Sequence, residues 1–230
     1  MKYTFTAAFL IIAFTSMGQV DTAQVKKNRD LDKTTRLDFL LVDLNWDRLI
    51  GLNNASQKWY GRGISVNLML DQPLDKQARY AVAAGAGFTS HNYYTDALVQ
   101  KVAGSQKADF IVQPSAVKDG GKISLNYVDV PIEFRFRTLE DKHGHRWKVG
   151  VGARAGYLIN AHEKIIDGSG RKTKLYHYPH VEKFRYGPTL RFGYGSLMLT
   201  GYYSLSTFFQ DGKGAADMNA FSLGLTISPF

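Results

Sequence analysis

The sequence contains no cysteine, and this absence excludes several kinds of chemistry at once. Disulfide bonds, thiolate metal sites, cysteine nucleophiles and the lipid-modified cysteine of a lipoprotein are all ruled out. Proline is scarce, with 6 residues among 230, and no apolar run reaches the ~20 residues of a membrane-spanning helix. Aromatic residues are abundant at 13%, which excludes a wholly disordered chain.

Acidic residues are fewer than basic ones, 20 against 29, which gives a formal net charge of +9. Such a charge permits contact with the phosphates of lipid or nucleic acid without requiring it. The basic residues are spread along the whole chain and are not gathered on one face, so no nucleic-acid partner is expected.

The N-terminal segment has the pattern of a secretory signal peptide. A positive start at Lys2 precedes the apolar run 9–14, and small residues stand at Ser16 and Gly18. The alternative is an N-terminal membrane anchor, for which the apolar run is short. We therefore expect a cleaved signal peptide at 1–18, followed by a polar periplasmic leader at 19–35.

From residue 36 onward the dominant hydrophobic period is two. In the segment 63–70, for example, Ile64, Val66, Leu68 and Leu70 share one face, opposite small or polar residues. Seven segments are well patterned in this way, and an eighth, weaker one spans 37–47. This period is incompatible with amphipathic helices and predicts eight β-strands.

Strands with one apolar face fit either a soluble sandwich or a membrane barrel, and the connections favour the barrel. Long and short connections alternate, as in outer-membrane proteins. The predicted long connections are 48–57, 90–122, 160–180 and 210–217, and the short ones are 71–76, 138–145 and 193–196.

Aromatic residues cluster at both ends of the predicted strands, as expected for the two interfaces of a bilayer. The group at the short turns comprises Tyr80, Phe136, Trp147 and Tyr194. The group at the long loops comprises Trp46, Phe88, Tyr157, Phe184 and Phe209. Pro131 and, more mildly, Pro188 interrupt strands, so a bulge or local break is expected at Pro131.

Several segments resemble those of a known family. They are YGRGI (60–64), SHNYY (90–94), LNYVDVPIEFRFR (125–137), FRYG (184–187), GYYSL (201–205) and SPF (228–230). Residues 36–230 resemble the Bacteroidetes outer-membrane β-barrel family that includes PorT-like proteins. The resemblance implies a barrel, an association with type IX secretion through PorT itself, and a C-terminal Phe230 recognised by the barrel-assembly machinery. Pro229 departs from the family pattern and shifts Phe230 off the outward phase.

The inward face is predicted to carry a network of charges that fills the lumen and fixes strand register. Its members are Asp43, Arg79, Asp129, Glu133, Arg135, Arg137, Lys148, Arg154, Arg185 and Arg191. The alternative is a narrow, anion-preferring pore, because basic groups exceed acidic ones in this set.

The loop 160–180 is basic, through Lys164, Arg171, Lys172 and Lys174, and could contact lipopolysaccharide phosphates. A solvated loop is the alternative. The histidine pairs at 143/145 and 177/180 lack companion ligands at a recognised spacing, so no metal is expected.

The pair Ser90-His91 stands where a strand leaves the membrane, as in some outer-membrane hydrolases. Adjacent strand residues point to opposite faces, and Asp96 could orient His91 only if the loop folds back. The longest loop, 90–122, contains an apolar stretch at 110–112, which predicts either an extra strand or a docking surface for an envelope protein.

Together these features predict an all-β protein, an eight-stranded antiparallel transmembrane up-and-down β-barrel at 36–230. It is expected in the outer membrane, with both termini in the periplasm. The expected role is structural or accessory to an envelope process such as secretion, with no catalytic residue, cofactor or metal. The alternatives are the pore and, third, a lipid-modifying or proteolytic enzyme.

Overall fold

The computed structural model describes residues 39–52, 55–112, 117–167, 172–176, 179–214 and 216–228. The predicted signal peptide, the leader and the C-terminal Phe230 lie outside the described residues. Eight long strands form a barrel: β1 (Leu40–Ile50), β2 (Arg62–Pro73), β3 (Tyr80–Thr95), β6 (Val117–Arg137), β7 (Trp147–Asp167), β9 (Phe184–Tyr194), β10 (Leu197–Thr207) and β11 (Asn219–Ile227). Three short strands accompany them: β4 (Ala97–Lys101), β5 (Ala108–Val112) and β8 (Lys172–Leu175).

Each long strand pairs antiparallel with the next long strand along the chain, and β1 closes the ring by pairing with β11. The predicted eight-stranded up-and-down barrel is confirmed. Closure leaves the barrel wall without an edge, so every strand of the wall has two neighbours. Within the described residues, no helix is long and apolar enough to cross a membrane.

The side chains alternate between the two faces of the wall as the period of two predicts. Along β2, Ile64, Val66, Leu68 and Leu70 face outward and are exposed, whereas the intervening side chains are mostly buried. At membrane depth, over 128–137 of β6 and 147–157 of β7, the outward positions are again apolar, and the inward positions are charged residues or glycine apart from Pro131. The result is an apolar outer band around a polar interior.

Aromatic rings border this band at both ends. At the short-turn end, the ring of Trp147 lies 5.2 Å from that of Tyr194, and Tyr80 lies 5.3 Å from Phe136. At the long-loop end Trp46, Phe88, Tyr157 and Phe184 are exposed. The prediction for Phe209 is wrong, because its ring is 2% exposed and belongs to an internal core.

Pro131 breaks the ladder locally without a bulge. It keeps its place opposite Arg154 in the β6–β7 register. Toward β3, no partner is recorded for Val130 or Pro131, although the register is the same on both sides of the gap. A proline lacks the N–H that this ladder would use, which accounts for the gap. The register shifts of the β6–β7 pair lie before Pro131, at 117–121 and at 126–127 of β6, and at the second of these the extra residue is Ile159 of β7.

Two predicted long loops are largely strand. β3 continues to Thr95 and β6 begins at Val117, so much of 90–122 extends the barrel wall. β7 likewise continues to Asp167 and pairs there with β8. We call this region the strand extension: residues 90–95 of β3, 117–127 of β6, 158–167 of β7, and β8.

Candidate functional site

The barrel interior holds ten buried charged side chains at the level of the apolar band. Each is at most 5% exposed. The five acids are Asp43, Asp47, Asp71, Asp129 and Glu133, and the five bases are Arg135, Arg137, Arg154, Arg185 and Arg191. Together with His91 and Ser222, these residues form what we call the lumen network.

The network begins near the short turns. Asp71 accepts hydrogen bonds from the guanidinium groups of Arg135 and Arg137. Arg135 Nε also donates to Glu133 Oε2 over 2.9 Å, and Arg191 Nε donates to Glu133 Oε1 over the same distance. Each carboxylate here therefore meets two guanidinium groups.

Asp43 lies at the centre of the lumen. Arg191 grips it with two nitrogens, Nη1 to Oδ1 at 2.6 Å and Nη2 to Oδ2 at 3.0 Å. Asn67 and Thr226 donate to the same carboxylate over 3.0 and 2.8 Å. Arg154 lies 3.5 Å from Asp43 Oδ2 and 3.9 Å from Asp129 Oδ2, so it connects the two halves of the network.

The network ends near the long loops. Arg185 Nη2 donates to both oxygens of Asp129, over 2.9 and 2.8 Å, and Arg185 also contacts His91 Nε2. His91 Nδ1 lies 2.9 Å from Asp47 Oδ2, and Ser222 donates to Asp47 Oδ1 over 2.6 Å. The network thus runs without a break along the lumen.

Small inward residues make room for these long side chains. A Cβ placed on Gly156 would lie 2.1 Å from Asp129 Oδ1 and 2.9 Å from Arg185 Nε. The Asp129–Arg185 pair therefore occupies the space that any larger residue at position 156 would need. Alternation of glycine with charged residues, visible in the sequence of β7, is what lets a narrow barrel enclose ion pairs.

The structure brings together eight of the ten residues predicted for the lumen and places two elsewhere. Arg79 lies in a short turn, where its side chain is 44% exposed and pairs with Asp75 at 3.1 Å. Lys148 is half-buried beside Glu133 and Arg135 at the short-turn mouth. Arg79 stands just before β3, and its side chain follows the turn and not the inward face.

Sequence reasoning missed four members of the network, namely Asp47, Asp71, His91 and Ser222. Asp47 lies in phase with Asp43 on β1, which is a signal the alternation already contained. Asp71 falls at the end of the inward series of β2, inside the short turn that the sequence predicts at 71–76. His91 falls inside the predicted loop 90–122, whereas in the structure β3 continues to Thr95.

The corrected membership changes the charge balance. Five carboxylates now face five guanidinium groups in the described lumen, so the excess of basic groups on which an anion preference would depend is absent. Cavities of ≈ 10 Å³ remain beside Lys148 and beside Asn45, each large enough for about one water molecule.

Above the network, the long-loop end is closed by a structure that we call the cap. It consists of the β4–β5 hairpin and the connections before β9 and after β10, packed on the strand extension. Its apolar core comprises Leu49, Tyr93, Ala97, Val99, Ala108, Phe110, Ile123, Leu125, Tyr127, Val181, Phe208, Phe209 and Met218. The predicted extra strand at 110–112 is confirmed as β5, and Phe110 is buried against Phe208 at 5.4 Å.

The hairpin is held to the barrel rim at a few defined points. Ala108 N–H donates to the Lys213 carbonyl over 2.8 Å, and Glu163 accepts a hydrogen bond from the Val99 backbone. A Cβ on Gly121 would lie 3.0 Å from Leu98, which shows how closely β4 approaches β6. Burial raises the pKa of the Glu163 carboxyl to about 7.

Ser90 and His91 are not arranged as a nucleophile and its base. His91 points into the lumen and is 1% exposed; its Nε2 contacts Arg185, and its Nδ1 lies 2.9 Å from Asp47 Oδ2. Ser90 lies on the opposite face, and Asp96 accepts a hydrogen bond from the Ser56 backbone. Asp47 lies between Ser222 and His91, which is the reverse of the order that activates a serine.

Three of the four basic residues predicted for lipopolysaccharide contact lie among the described residues. Lys164 lies opposite Lys174 in the β7–β8 register, and Lys172 begins β8. Arg171 and His177 lie outside the described residues. Among the residues that are described, no group of three or more histidine or acidic side chains could hold a metal ion.

Comparison with known families assigns the fold. The family model described as "Outer membrane protein beta-barrel domain" matches residues 25–210, most of the chain. The chain belongs to this family. The apolar outer band of this outer-membrane barrel is accordingly the surface that faces lipid, and the lumen network lies at membrane depth.

Two solved structures are similar to this outer-membrane barrel. One is Ail, the attachment invasion locus protein of Yersinia pestis, at 11% identity, a TM-score of 0.34, and coverage of 82% of this chain and 95% of that chain. The other is the same protein in complex with the heparin analogue sucrose octasulfate, at 13% identity with the same coverage and TM-score. No curated protein sequence matches the chain.

Proposed function

We propose that this protein is a non-conducting outer-membrane anchor that holds a folded cap at one membrane surface, with a structural or accessory role in an envelope process. The single observation that carries the proposal is the closure of the lumen at two successive levels. Ion pairs fill it at membrane depth, and an apolar core covers its long-loop mouth.

The filled lumen supports an anchor over a conduit. A conducting pore needs hydrated space, and its wall charges must be free to exchange partners with ions. Here Asp43, Glu133 and Asp129 are each bound by guanidinium groups and are almost fully buried. Opening a water path would require several of these pairs to separate, which is costly in a low-dielectric interior.

The cap supports a role at the membrane surface. Short periplasmic turns and longer outer loops are the usual arrangement of such barrels, so we place the cap outside the cell and both termini in the periplasm. A well-packed core is more than a connection between strands requires. Exposed side chains at this end, such as Val112 in the cap and Trp59 in the neighbouring β1–β2 connection, would then be available to an envelope protein.

The resemblance to PorT-like proteins suggests protein secretion as the envelope process. In this proposal the cap is the part that meets a secretion component. Insertion itself would use the barrel-assembly machinery, with the C-terminal Phe230 as the recognised residue.

Planar-bilayer recording tests the anchor directly. The purified protein should give no stepwise current, and a variant in which 98–111 are replaced by a short Gly-Ser linker should also give none, because the lumen network remains. Combining the linker replacement with the loss of two network arginines, as in Arg154→Ala with Arg185→Ala, removes both closures; this variant should open a path and serves as the positive control. Stepwise current from the unaltered protein would overturn the proposal.

Site-specific crosslinking tests the accessory role. A photo-crosslinker at Val112 in β5 should yield a defined adduct in intact cells, and the same group at Leu74 in a short turn is the matched control. The adduct should disappear when the hairpin is replaced by the linker. Identical adduct patterns from the two positions would argue against a docking function of the cap.

A further inference from the structure

The outward face of the strand extension carries a row of three lysines. Lys122 on β6 lies directly opposite Lys164 on β7, and Lys164 lies directly opposite Lys174 on β8. Directly opposed residues share a face, with Cβ atoms roughly 4.5–5.5 Å apart. Three ammonium groups therefore stand side by side; we call them the lysine row.

Among the side chains that the structure describes, no acid compensates the row. None of the ion pairs among the described parts of the chain includes any of the three lysines. Glu163, the nearest acid along β7, points inward and is buried. Partial burial, with the charges of Lys164 and Lys174, lowers the pKa of Lys122. Like charges placed opposite one another destabilise a sheet, so this row favours an anionic occupant.

Polar and aromatic groups surround the row. Tyr94 lies opposite Lys122 on β3, and the Lys122 ammonium lies 5.8 Å from the centre of its ring. One step nearer the membrane is a second row made of Asn92, Ser124 and His162, with the ring of Tyr176 6.0 Å from His162. The Ser124 hydroxyl is buried and donates to Asn92, which leaves the half-buried amide of Asn92 and imidazole of His162, beside the aromatic rings, as the groups that would receive a sugar ring and its hydroxyls.

The height of the row fits a lipid-linked ligand. On the same strands the outward residues Phe88, Val128 and Tyr157 are opposed and exposed at the edge of the apolar band. Lys122 lies six residues beyond Val128, which is about 20 Å along the strand and about 15 Å above the band after allowing for strand tilt. The face passes from apolar, through polar, to cationic as it leaves the membrane.

We propose that the lysine row binds phosphate groups carried on the sugars of an outer-leaflet glycolipid, with Lys122, Lys164 and Lys174 as the phosphate contacts. The order of the three zones matches acyl chains, sugar and phosphate in turn. The orientation, with the cap outside the cell, rests on the proposed function. Phosphate recognition itself does not, and it can be measured in detergent whether or not the barrel conducts.

The test compares two triple variants of the full chain in detergent. Lys122→Gln, Lys164→Gln and Lys174→Gln remove the row, whereas Lys101→Gln, Lys107→Gln and Lys213→Gln remove the same charge from exposed positions elsewhere in the cap. The probes are purified lipopolysaccharide, the same material after enzymatic dephosphorylation, and inorganic phosphate as a competitor. Circular dichroism checks that each variant is folded.

We expect the row variant to bind intact lipopolysaccharide at least about tenfold more weakly than the unaltered protein, since each lysine near an anionic surface contributes measurably. The control variant should stay within about twofold, and replacement of the row by three arginines should preserve binding. The dephosphorylated probe should bind the unaltered protein as weakly as the intact probe binds the row variant.

Three results would overturn the proposal. Equal losses in both triple variants would indicate non-specific charge attraction. Undiminished binding of the dephosphorylated probe would show that sugar or acyl chains are recognised without phosphate. If inorganic phosphate displaced lipopolysaccharide at a concentration equal to that of the lipopolysaccharide, the occupant of the row would be a soluble phosphate.

Discussion

The lumen and the cap are enclosed by the same strands, but their interiors have opposite chemistry. On β6 the inward residues Asp129 and Glu133 are charged at membrane depth, whereas Ile123 and Leu125 are apolar in the strand extension. The outward residues change in the reverse sense, from Val128 to Lys122. The strand does not change its alternation; its surroundings change from lipid to water.

This inversion has a physical cause. At membrane depth an apolar side chain is already in an apolar medium outside the barrel, so the lumen can hold polar groups that pair with one another. Beyond the lipid, water surrounds the wall, and burying apolar surface inside the cap becomes favourable. Single strands therefore enclose two interiors in turn, a polar one at membrane depth and an apolar one, like that of a soluble protein, beyond the lipid.

Breaking the lumen network should have the largest effect. Arg191→Ala leaves Asp43 and Glu133 without their shared partner, and loss of one member of a buried pair costs about 3–5 kcal/mol. Urea unfolding from lipid vesicles measures the change. Arg79→Ala, in the exposed turn, is the matched control and should leave the unfolding midpoint unaltered. A comparable loss of unfolding free energy in both variants would mean that the buried lumen pairs contribute no more to stability than an exposed turn residue does.

Breaking the apolar core should instead affect the cap alone. Phe110→Ala removes a fully buried ring, which costs about 3–5 kcal/mol in a well-packed core. Amide hydrogen exchange in β4 and β5 should accelerate, while exchange in the lumen strands stays slow. Val112→Ala, at an exposed position of β5, should change neither. Acceleration throughout the barrel after Phe110→Ala would show that the two regions unfold together.

The stability cost of a new charge on the outward face should differ between the part of the wall that faces lipid and the part that faces water. Val151→Arg on β7 places a charge in the lipid-facing band, at a cost of about 2–4 kcal/mol near the bilayer midplane. Asn160→Arg lies on the outward face of the same strand but beyond the band, and should cost less than about 0.5 kcal/mol. Equal costs, measured by vesicle unfolding, would contradict the assignment of the lipid boundary.

The smallest effect is expected from pH, through Glu163 of the strand extension, which accepts a hydrogen bond from Val99 of the cap. Its folded pKa of about 7 exceeds the ordinary value of 4.5, so the closed cap binds more protons than the open one between these values. Stability of the cap should therefore fall as pH rises from about 4.5 to about 7 and remain at the lower level above.

Glu163→Gln should abolish this dependence and stabilise the closed cap at pH 8 by on the order of 1 kcal/mol. The amide still offers an acceptor to the Val99 N–H. Hydrogen exchange in β4 as a function of pH measures the effect, with Glu140→Gln in an exposed turn as the control. An unchanged pH slope in Glu163→Gln would exclude this carboxyl as its source.

Much of the barrel could be predicted from the sequence, because the relevant signals are local. Alternation on β2 and β6, the short turns, and the aromatic residues Trp147 and Tyr194 report the face and the ends of each strand directly. The lengths of β3 and β7 could not be read, since polar residues replace apolar ones on the outward face of both strands beyond the lipid, and on β7 the extra residue Ile159 also shifts the alternation. A strand recognised by apolar residues on one face ends, in such a prediction, where that face becomes polar.

The sequence by itself determined that this chain forms strands with an apolar and a polar face, and that eight of them build the barrel wall, because side-chain direction in a strand depends only on whether a position is odd or even. Tertiary structure alone decided which charges meet. Asp43 and Arg191 are 148 positions apart and become partners only when the barrel closes. The cap likewise depends on packing between distant segments, such as Phe110 with Phe208. Alternation within a strand specifies which face each side chain occupies, but contacts between distant strands form only when the barrel closes.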